Sequence, residues 1–228
     1  MRKDFQIIAD LVTESTKVLD IGCGDGSLLQ YLQENKNIRG RGIEINQGKV
    51  TLAMEKGLAV IQGDADNDLS NYPANSIDFA ILSQTLQATQ DPKNILLELQ
   101  RIAKNVIVSV PNFGYWQNRL YLLLNGRMPV TKQLTYQWYD TPNIHFCTIA
   151  DFIDLVNELG FKIKSQFFFN EKFNFLPNIQ SAFIANAISQ NAVFLLEKGI
   201  TIPLKKTSLT AKLAAKTQKT ANANARKF

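Results

Sequence analysis

Residues 18–29 read VLDIGCGDGSLL. An apolar run carrying one carboxylate, Val18, Leu19, Asp20 and Ile21, enters glycines at alternate positions, Gly22, Gly24 and Gly26. A helix is expected from about Ser27, with Leu28, Leu29 and Leu32 inward. Strand, glycine turn and helix form the opening unit of a nucleotide-binding α/β domain. A turn that tight needs positive φ, and a backbone that must touch a ligand cannot carry a Cβ.

The spacing of the turn says more than its glycines. A dinucleotide fold of the NAD type wants G-x-G-x-x-G, which seats a pyrophosphate on the helix N-terminus. Here the pattern is acid-x-G-x-G-x-G, with Asp20 two residues before the first glycine. A carboxylate at the strand end is a poor neighbour for a pyrophosphate. It suits a cationic ligand with hydrogen-bond donors, and S-adenosylmethionine (SAM) is one, with a sulfonium, an ammonium and no phosphate. An NAD site and a glycine turn without any ligand are the competing readings.

Downstream, Val- and Ile-rich runs alternate with helical patterns. Residues 3–13 read as an amphipathic helix, 17–21 as the first strand and 39–45 (RGRGIEI) as the second, ending at Glu44. Asn46 is placed to cap a helix closed by Gly57, and 58–61 reads as strand three. Strand four is 76–82, Asp91 and Pro92 open a helix to about Ala103, and strand five is 105–110. Thr148 is placed to cap a further helix, and 161–169 and 192–196 read as two last strands, antiparallel if a short turn joins them. Residues 171–190 carry no firm pattern, with a helix suggested near 178–189. The alternation predicts a Rossmann-like, mostly parallel seven-stranded sheet with helices on both faces. Ligands in such sheets bind outside the carboxyl edge, at the switch in strand order.

Composition bounds the rest. The chain has 228 residues, 45% of them hydrophobic, enough for one sizeable core. No apolar run reaches the roughly 18 residues needed to span a bilayer. The charged start, with Arg2, Lys3, Asp4 and Asp10, does not read as a signal peptide. Two cysteines, Cys23 and Cys147, make no disulfide framework and suit a reducing, cytoplasmic setting. The net charge of +5 belongs to the end of the chain: residues 203–228 hold seven Lys and Arg and no acid, leaving 18 basic against 20 acidic residues before them. Residues 1–198 are expected to form one domain, with 113–147 an aromatic and basic insertion over the carboxyl edge. Residues 199–228 are expected to be a disordered basic tail, with polyanion binding the alternative.

Two acids continue the reading begun at the turn. Glu44, 20 residues after Gly24 at a strand end, is placed to accept both hydroxyls of a ribose. Asp64, in GDAD after strand three, could accept from an adenine amine while the Ala65 N–H donates to the ring; a helix N-cap is the competing role. With Ile45 beside Glu44, the turn residue Cys23 and Ser83 after strand four, the cofactor-binding set is Asp20, Gly22, Cys23, Gly24, Gly26, Glu44, Ile45, Asp64, Ala65 and Ser83. Gln84, Tyr115, Trp116, Arg119, Arg127 and His145 form an acceptor or partner surface. His145 is the one candidate general base, with a hydrogen-bonded structural role as its competitor. No Cys, His and acid cluster has metal-ligand spacing.

The glycine turn, Glu44 and Asp64 in order resemble the class I SAM-dependent methyltransferases over about residues 15–110. ILSQTLQA at 81–88, PNFGYW at 111–116, GRMPVTK at 126–132 and YQWYDTPNIHFCT at 136–148 resemble the MetW family of methionine biosynthesis proteins. That likeness runs over about 15–197. It implies a class I methyltransferase fold and an association with homoserine O-acyltransferase in methionine synthesis, and it supplies no methyl acceptor. Two functions follow from it: a SAM-binding partner that activates or regulates the acyltransferase, or a catalytic methyltransferase on a small molecule. An NAD-dependent oxidoreductase is the third, and the glycine spacing counts against it.

Overall fold

A computed structural model describes residues 2–131, 134–170 and 181–199. Lys132, the 171–180 part of the unassigned stretch and the basic tail beyond Gly199 lie outside the described residues.

Helix α1 (Lys3–Leu11) leads into β1 (Lys17–Ile21), α2 (Ser27–Lys36), β2 (Arg39–Glu44), α3 (Gln47–Glu55) and β3 (Val60–Gln62). A short α4 (Ala65–Asp68) and a 3-10 turn at Leu69–Asn71 precede β4 (Ile77–Ser83). A second 3-10 turn, Leu86–Ala88, leads to α5 (Pro92–Ile102) and β5 (Ala103–Pro111). The rest comprises α6 (Trp116–Asn125), α7 (Ile149–Glu158), β6 (Phe161–Phe169), α8 (Ala182–Ile188) and β7 (Asn191–Lys198).

Local chemistry sets the helix starts. The Asn46 side chain accepts the Lys49 N–H at 3.1 Å, and Asp91 accepts that of Asn94 at 3.0 Å with Pro92 in the first turn. Thr148 and Asp151 cap α7 reciprocally. Such caps contribute about 1 kcal/mol each.

The seven strands lie in the order β3-β2-β1-β4-β5-β7-β6. The first five are parallel, and only β7 runs against its neighbours. Strand order therefore reverses between β1 and β4, where Asp20 sits beside Gly42 on one side and Ile81 on the other. Helices cover both faces, as the alternation predicts. Ile7, Ile8, Leu28, Leu29, Leu32, Val50 and Ala53 of α1 to α3 pack on one face. Ile95, Leu96, Leu99, Phe152, Val156 and Ala185 of α5, α7 and α8 pack on the other. Burying each of these large side chains contributes about 1.5–3 kcal/mol. The two last strands are antiparallel, although α8 and not a short turn lies between them, and the helix suggested near 178–189 is α8.

Between β5 and α7 the chain forms α6 and then an irregular stretch. Asn112 anchors its start. Its side chain is 2% exposed and donates to the carbonyls of Asn186 and Ser189 at 2.8 and 2.7 Å. Its Oδ1 accepts the N–H groups of Gly114 and Ile149 at 2.9 and 3.3 Å. One amide thus joins β5, α7 and α8. Among the described residues, no helix is long and apolar enough to cross a membrane.

Candidate functional site

The carboxyl ends of β1, β2 and β4 and the loop after β3 surround a cavity of about 630 Å³. That is the size of a small-molecule site. Its floor is the glycine turn. The Gly22 and Cys23 N–H groups donate to the Ile43 carbonyl at 2.8 and 3.2 Å, folding the turn over the end of β2. Gly22, Gly24 and Gly26 all have positive φ, between +60° and +74°. Their surroundings differ. A Cβ on Gly22 would stand 2.5 Å from the Thr85 side chain, and one on Gly26 would meet Leu58 and Ala53. A Cβ on Gly24 would meet nothing within 4 Å and would project into the cavity, whose wall Gly24 forms. Gly22 and Gly26 hold the fold tight, and Gly24 keeps the cleft clear.

Glu44 ties the second strand to the turn. Its Oε2 accepts the Gly24 N–H at 2.8 Å and its Oε1 accepts the Asn46 N–H at 2.9 Å, and the residue is 6% exposed. A carboxylate offers about four lone-pair sites, so each oxygen can still accept a hydroxyl. Asp25, inside the turn, accepts from Ser27 and from Lys56 Nζ, which hold its carboxyl down at about 2.

Asp20 is 2% exposed, and its Oδ1 has no hydrogen-bond partner. Burial pushes its carboxyl up to about 7; the Arg2 guanidinium opposes that rise and the Glu44 carboxylate adds to it. A buried, unpartnered carboxylate oxygen on a residue that lines a cavity is a costly arrangement. It is relieved by a cationic donor. The Cys23 thiol is pushed up to about 12 by burial, with Asp20 and Glu44 adding to it, so it is no nucleophile at neutral pH.

Asp64 caps α4: its Oδ1 accepts the Asp66 N–H at 3.0 Å and its Oδ2 the Asn67 side chain at 2.8 Å. The capping role named as a competitor is therefore filled. Asp64 and Ala65 nevertheless line the cavity, and Ala65 opens the helix, where N–H groups lack intrahelical acceptors. Asp66 accepts the N–H groups of Gln90 and Asp91, both at 2.9 Å, closing that side. Ile45, 66% exposed, offers an apolar flank. Ser83 and Gln84 stand opposite at the end of β4.

One cavity therefore gathers nine of the ten expected cofactor-binding residues, and Gly26 faces α3 instead. The expected acceptor or partner surface divides. Gln84 lines the cavity, while Tyr115, Trp116, Arg119 and Arg127 do not. Tyr115 is buried at the start of α6, Arg119 Nε donates to the Gly114 carbonyl, and Trp116 is 47% exposed. The His145 ring lies 3.4 Å from the Gln90 carbonyl and borders a separate small pocket with Asn112 and Phe113. Pro142, Asn143 and Ile144, just before it, line the main cavity. Among the described residues no acid, His and Cys group could hold a metal.

Sequence reasoning missed the contributions of α1 and of the stretch after α6. Arg2, Phe5, Tyr136, Asn143 and Ile144 all line the cavity. One signal was present. Asp4 falls on the same helix face as Ile8 and Leu11, and a carboxylate on a buried face asks for a partner.

The strand order, the switch-point cleft and the acid-flanked glycine turn define the class: the Rossmann-like fold of the SAM-dependent methyltransferases. A SAM-dependent methyltransferase from Thermotoga maritima is similar in structure, with a TM-score of 0.59 and 22% identity over 86% of this chain and 87% of that one. So is the [4+2]-cyclase SpnF, with a TM-score of 0.61 and 17% identity over 87% and 81%. Within that fold the chain belongs to the family of the methionine biosynthesis protein MetW, whose family model matches residues 2–196. The bifunctional methionine biosynthesis protein MetXA/MetW of Rhodopirellula baltica is 31% identical over 176 residues, 73% of this chain and 28% of that protein. The chain thus spans little more than a quarter of the length of that relative.

Proposed function

We propose that this chain binds SAM in the switch-point cleft and acts with a homoserine O-acyltransferase, activating or regulating it. The residues of the cleft fit the ligand. Glu44 would accept the ribose hydroxyls, and Ala65 and Asp64 would meet the adenine edge beside Ile45. Gly24 would leave room for the ligand backbone, and the Asp20 carboxylate would take the ammonium. The bound ligand would bring a methyl group on a sulfonium to the space beside Ser83 and Gln84.

One observation carries the regulatory reading over the catalytic one. Asp20 would be taken up by the ligand's ammonium, and the other acids around the cleft are already engaged: Glu44, Asp64 and Asp66 accept backbone N–H groups, and Asp25 holds Lys56. The single histidine borders another pocket. A site so furnished can hold a ligand but has no uncommitted base for an acceptor that must lose a proton. The relative from Rhodopirellula baltica, which carries MetXA and MetW in one polypeptide, supports the choice of partner. SAM lies downstream of methionine, so its occupancy of this cleft would report the state of the route to the acyltransferase.

The test is the activity of the acyltransferase with and without this chain, and with and without SAM, together with co-purification of the two. The expected result is a complex whose activity responds to SAM. No complex and unchanged activity would overturn the partnership. Thermal-shift titration with SAM, S-adenosylhomocysteine and NAD tests the ligand, and stabilisation by NAD alone would overturn the SAM assignment.

The catalytic reading keeps one observation in its favour. The cavity continues past Ser83 to a wall made by Tyr136, Asn143 and Ile144, where a small acceptor would fit. Formation of S-adenosylhomocysteine from SAM with candidate acceptors would establish it.

A further inference from the structure

Helix α6 is held to the body of the chain by one side chain. Of its ten residues, WQNRLYLLLN, only Asn118 is buried, and its Nδ2 donates to the Phe113 carbonyl at 3.2 Å. The apolar residues lie outside: Trp116, Leu120, Tyr121, Leu122, Leu123 and Leu124 are all exposed, Leu123 to 80% and Leu124 to 72%. A helix this short is marginal in water without packing on an apolar face. Contiguous apolar surface of a few hundred Å² marks a place where something else binds.

The spacing and the charges say what fits. Trp116, Leu120 and Leu123 follow at i, i+4 and i+7, one stripe of the helix, with Leu124 beside it. Those are the positions by which a helix seats in an apolar groove. Arg119 lies on the same face, four residues before Leu123, and Arg127 follows the cap at Gly126. Among the described residues neither arginine forms an ion pair. Residues 113–139 hold no acid. A second copy would set two acid-free, arginine-bearing surfaces against each other, and like charges brought together oppose association. The complementary surface is an apolar groove bordered by carboxylates, on a different protein.

We infer that α6 is the docking helix for the homoserine O-acyltransferase. Trp116, Leu120 and Leu123 enter an apolar groove of that enzyme, and Arg119 and Arg127 meet carboxylates at its border. This docking rests on the proposed partnership and gives it a surface. It also reaches the cleft. The stretch after α6 returns to the cavity, where Tyr136, Asn143 and Ile144 form part of the wall. A partner seated on α6 therefore bears on a segment that meets the ligand.

Surface plasmon resonance with the full chain immobilised, the cognate homoserine O-acyltransferase in solution and SAM present tests the assignment. Trp116→Ala and Leu123→Asp are each expected to weaken binding by about thirtyfold or more, as loss of an interface anchor does. Arg127→Glu is expected to slow association and to flatten its fall with added salt. Met54→Asp, at an exposed apolar position on α3, is expected to bind as the wild-type chain does. Trp116, Leu123 and Arg127 are exposed and do not line the cavity, so melting temperature and SAM affinity are expected to hold in all three variants. A wild-type complex that survives Trp116→Ala and Leu123→Asp would overturn the docking and leave the partnership standing. So would self-association of the chain, or binding to phosphatidylglycerol vesicles, that Leu123→Asp abolishes. A wild-type chain that binds no acyltransferase would overturn the partnership itself.

Discussion

Gly24 donates its N–H to Glu44 Oε2 at 2.8 Å. The glycine turn after β1 and the acid at the end of β2 are thereby one device, and the carboxylate shapes the turn before any ligand arrives. Glu44→Ala is expected to lower stability by about 2–3 kcal/mol, since it leaves two N–H groups without an acceptor. It is also expected to weaken SAM binding at least tenfold. Glu44→Gln, which can still accept, should recover part of both. Chemical denaturation and calorimetry on the same preparations check this.

Asp20 sets stability against the proposed ligand binding. Its carboxyl ionises at about 7 in the folded chain and near 3.8 in the unfolded one. Between those values the folded state binds the proton and the unfolded state does not. Asp20 therefore favours folding at low pH, and that contribution is lost as pH rises through about 7, by up to about 4 kcal/mol. Asp20→Asn is expected to flatten the fall in melting temperature between pH 5 and 8 and to be the more stable protein at pH 8. The same change should weaken SAM binding at least tenfold. Wild-type affinity for SAM should fall as pH drops below 7, where Asp20 takes up a proton.

Gly22 and Gly24 separate folding from binding. Valine at Gly22 meets the Thr85 side chain, so Gly22→Val is expected to destabilise by several kcal/mol or to prevent folding. The Cβ of Gly24→Val meets no neighbour within 4 Å, and the left-handed backbone costs about 1–2 kcal/mol. It is expected to fold and to lose SAM binding. A folded Gly24→Val chain with wild-type affinity would remove the turn from the site. Melting curves with and without SAM read both effects.

Asn112 lies away from the cavity and governs stability alone. Asn112→Ala strands two buried carbonyls and the Gly114 N–H, while the Ile149 N–H keeps Asn186 Oδ1 at 3.1 Å, and it is expected to cost about 3 kcal/mol. Asn112→Asp, of the same size, cannot donate to the Asn186 and Ser189 carbonyls and is expected to be destabilising too. Urea titration measures the loss. SAM affinity of whatever folds should be unchanged.

The parts of this fold that could be read from the chain are those decided within a few residues. Asp20 and the alternate glycines, the caps at Asn46, Asp91 and Thr148, and Glu44 at its strand end all follow from spacing. The parts that escaped are decided across the chain. Arg2 and Asp4 meet Ser83 about 80 positions away, and no period or motif encodes that meeting. Asp64 had two roles open because a cap and an adenine contact ask for the same side chain at the same spacing. His145 was a candidate base by residue type, and only the packing of 144–145 onto the Gln87 carbonyl determines where its ring goes. Gly26 was grouped with the ligand residues because it completes the alternate-glycine spacing, whereas its neighbours are Leu58 and Ala53.

The position of β7 bears on how a growing chain reaches this structure. It is the last strand of the described chain and the sixth in the sheet, wedged between β5 and β6. On the ribosome the five parallel strands and the glycine turn are complete by residue 111, and the half that carries the switch-point cleft can assemble early. Strand β6 emerges with no neighbour to pair with. Until residues 191–198 follow, β5 and β6 each present an open edge, and Phe152 and Phe168 lack the Phe194 ring they pack against. A message cut short before residue 191 would yield a chain with most of its switch-point cleft and two sticky strands, a substrate for chaperones rather than for partners.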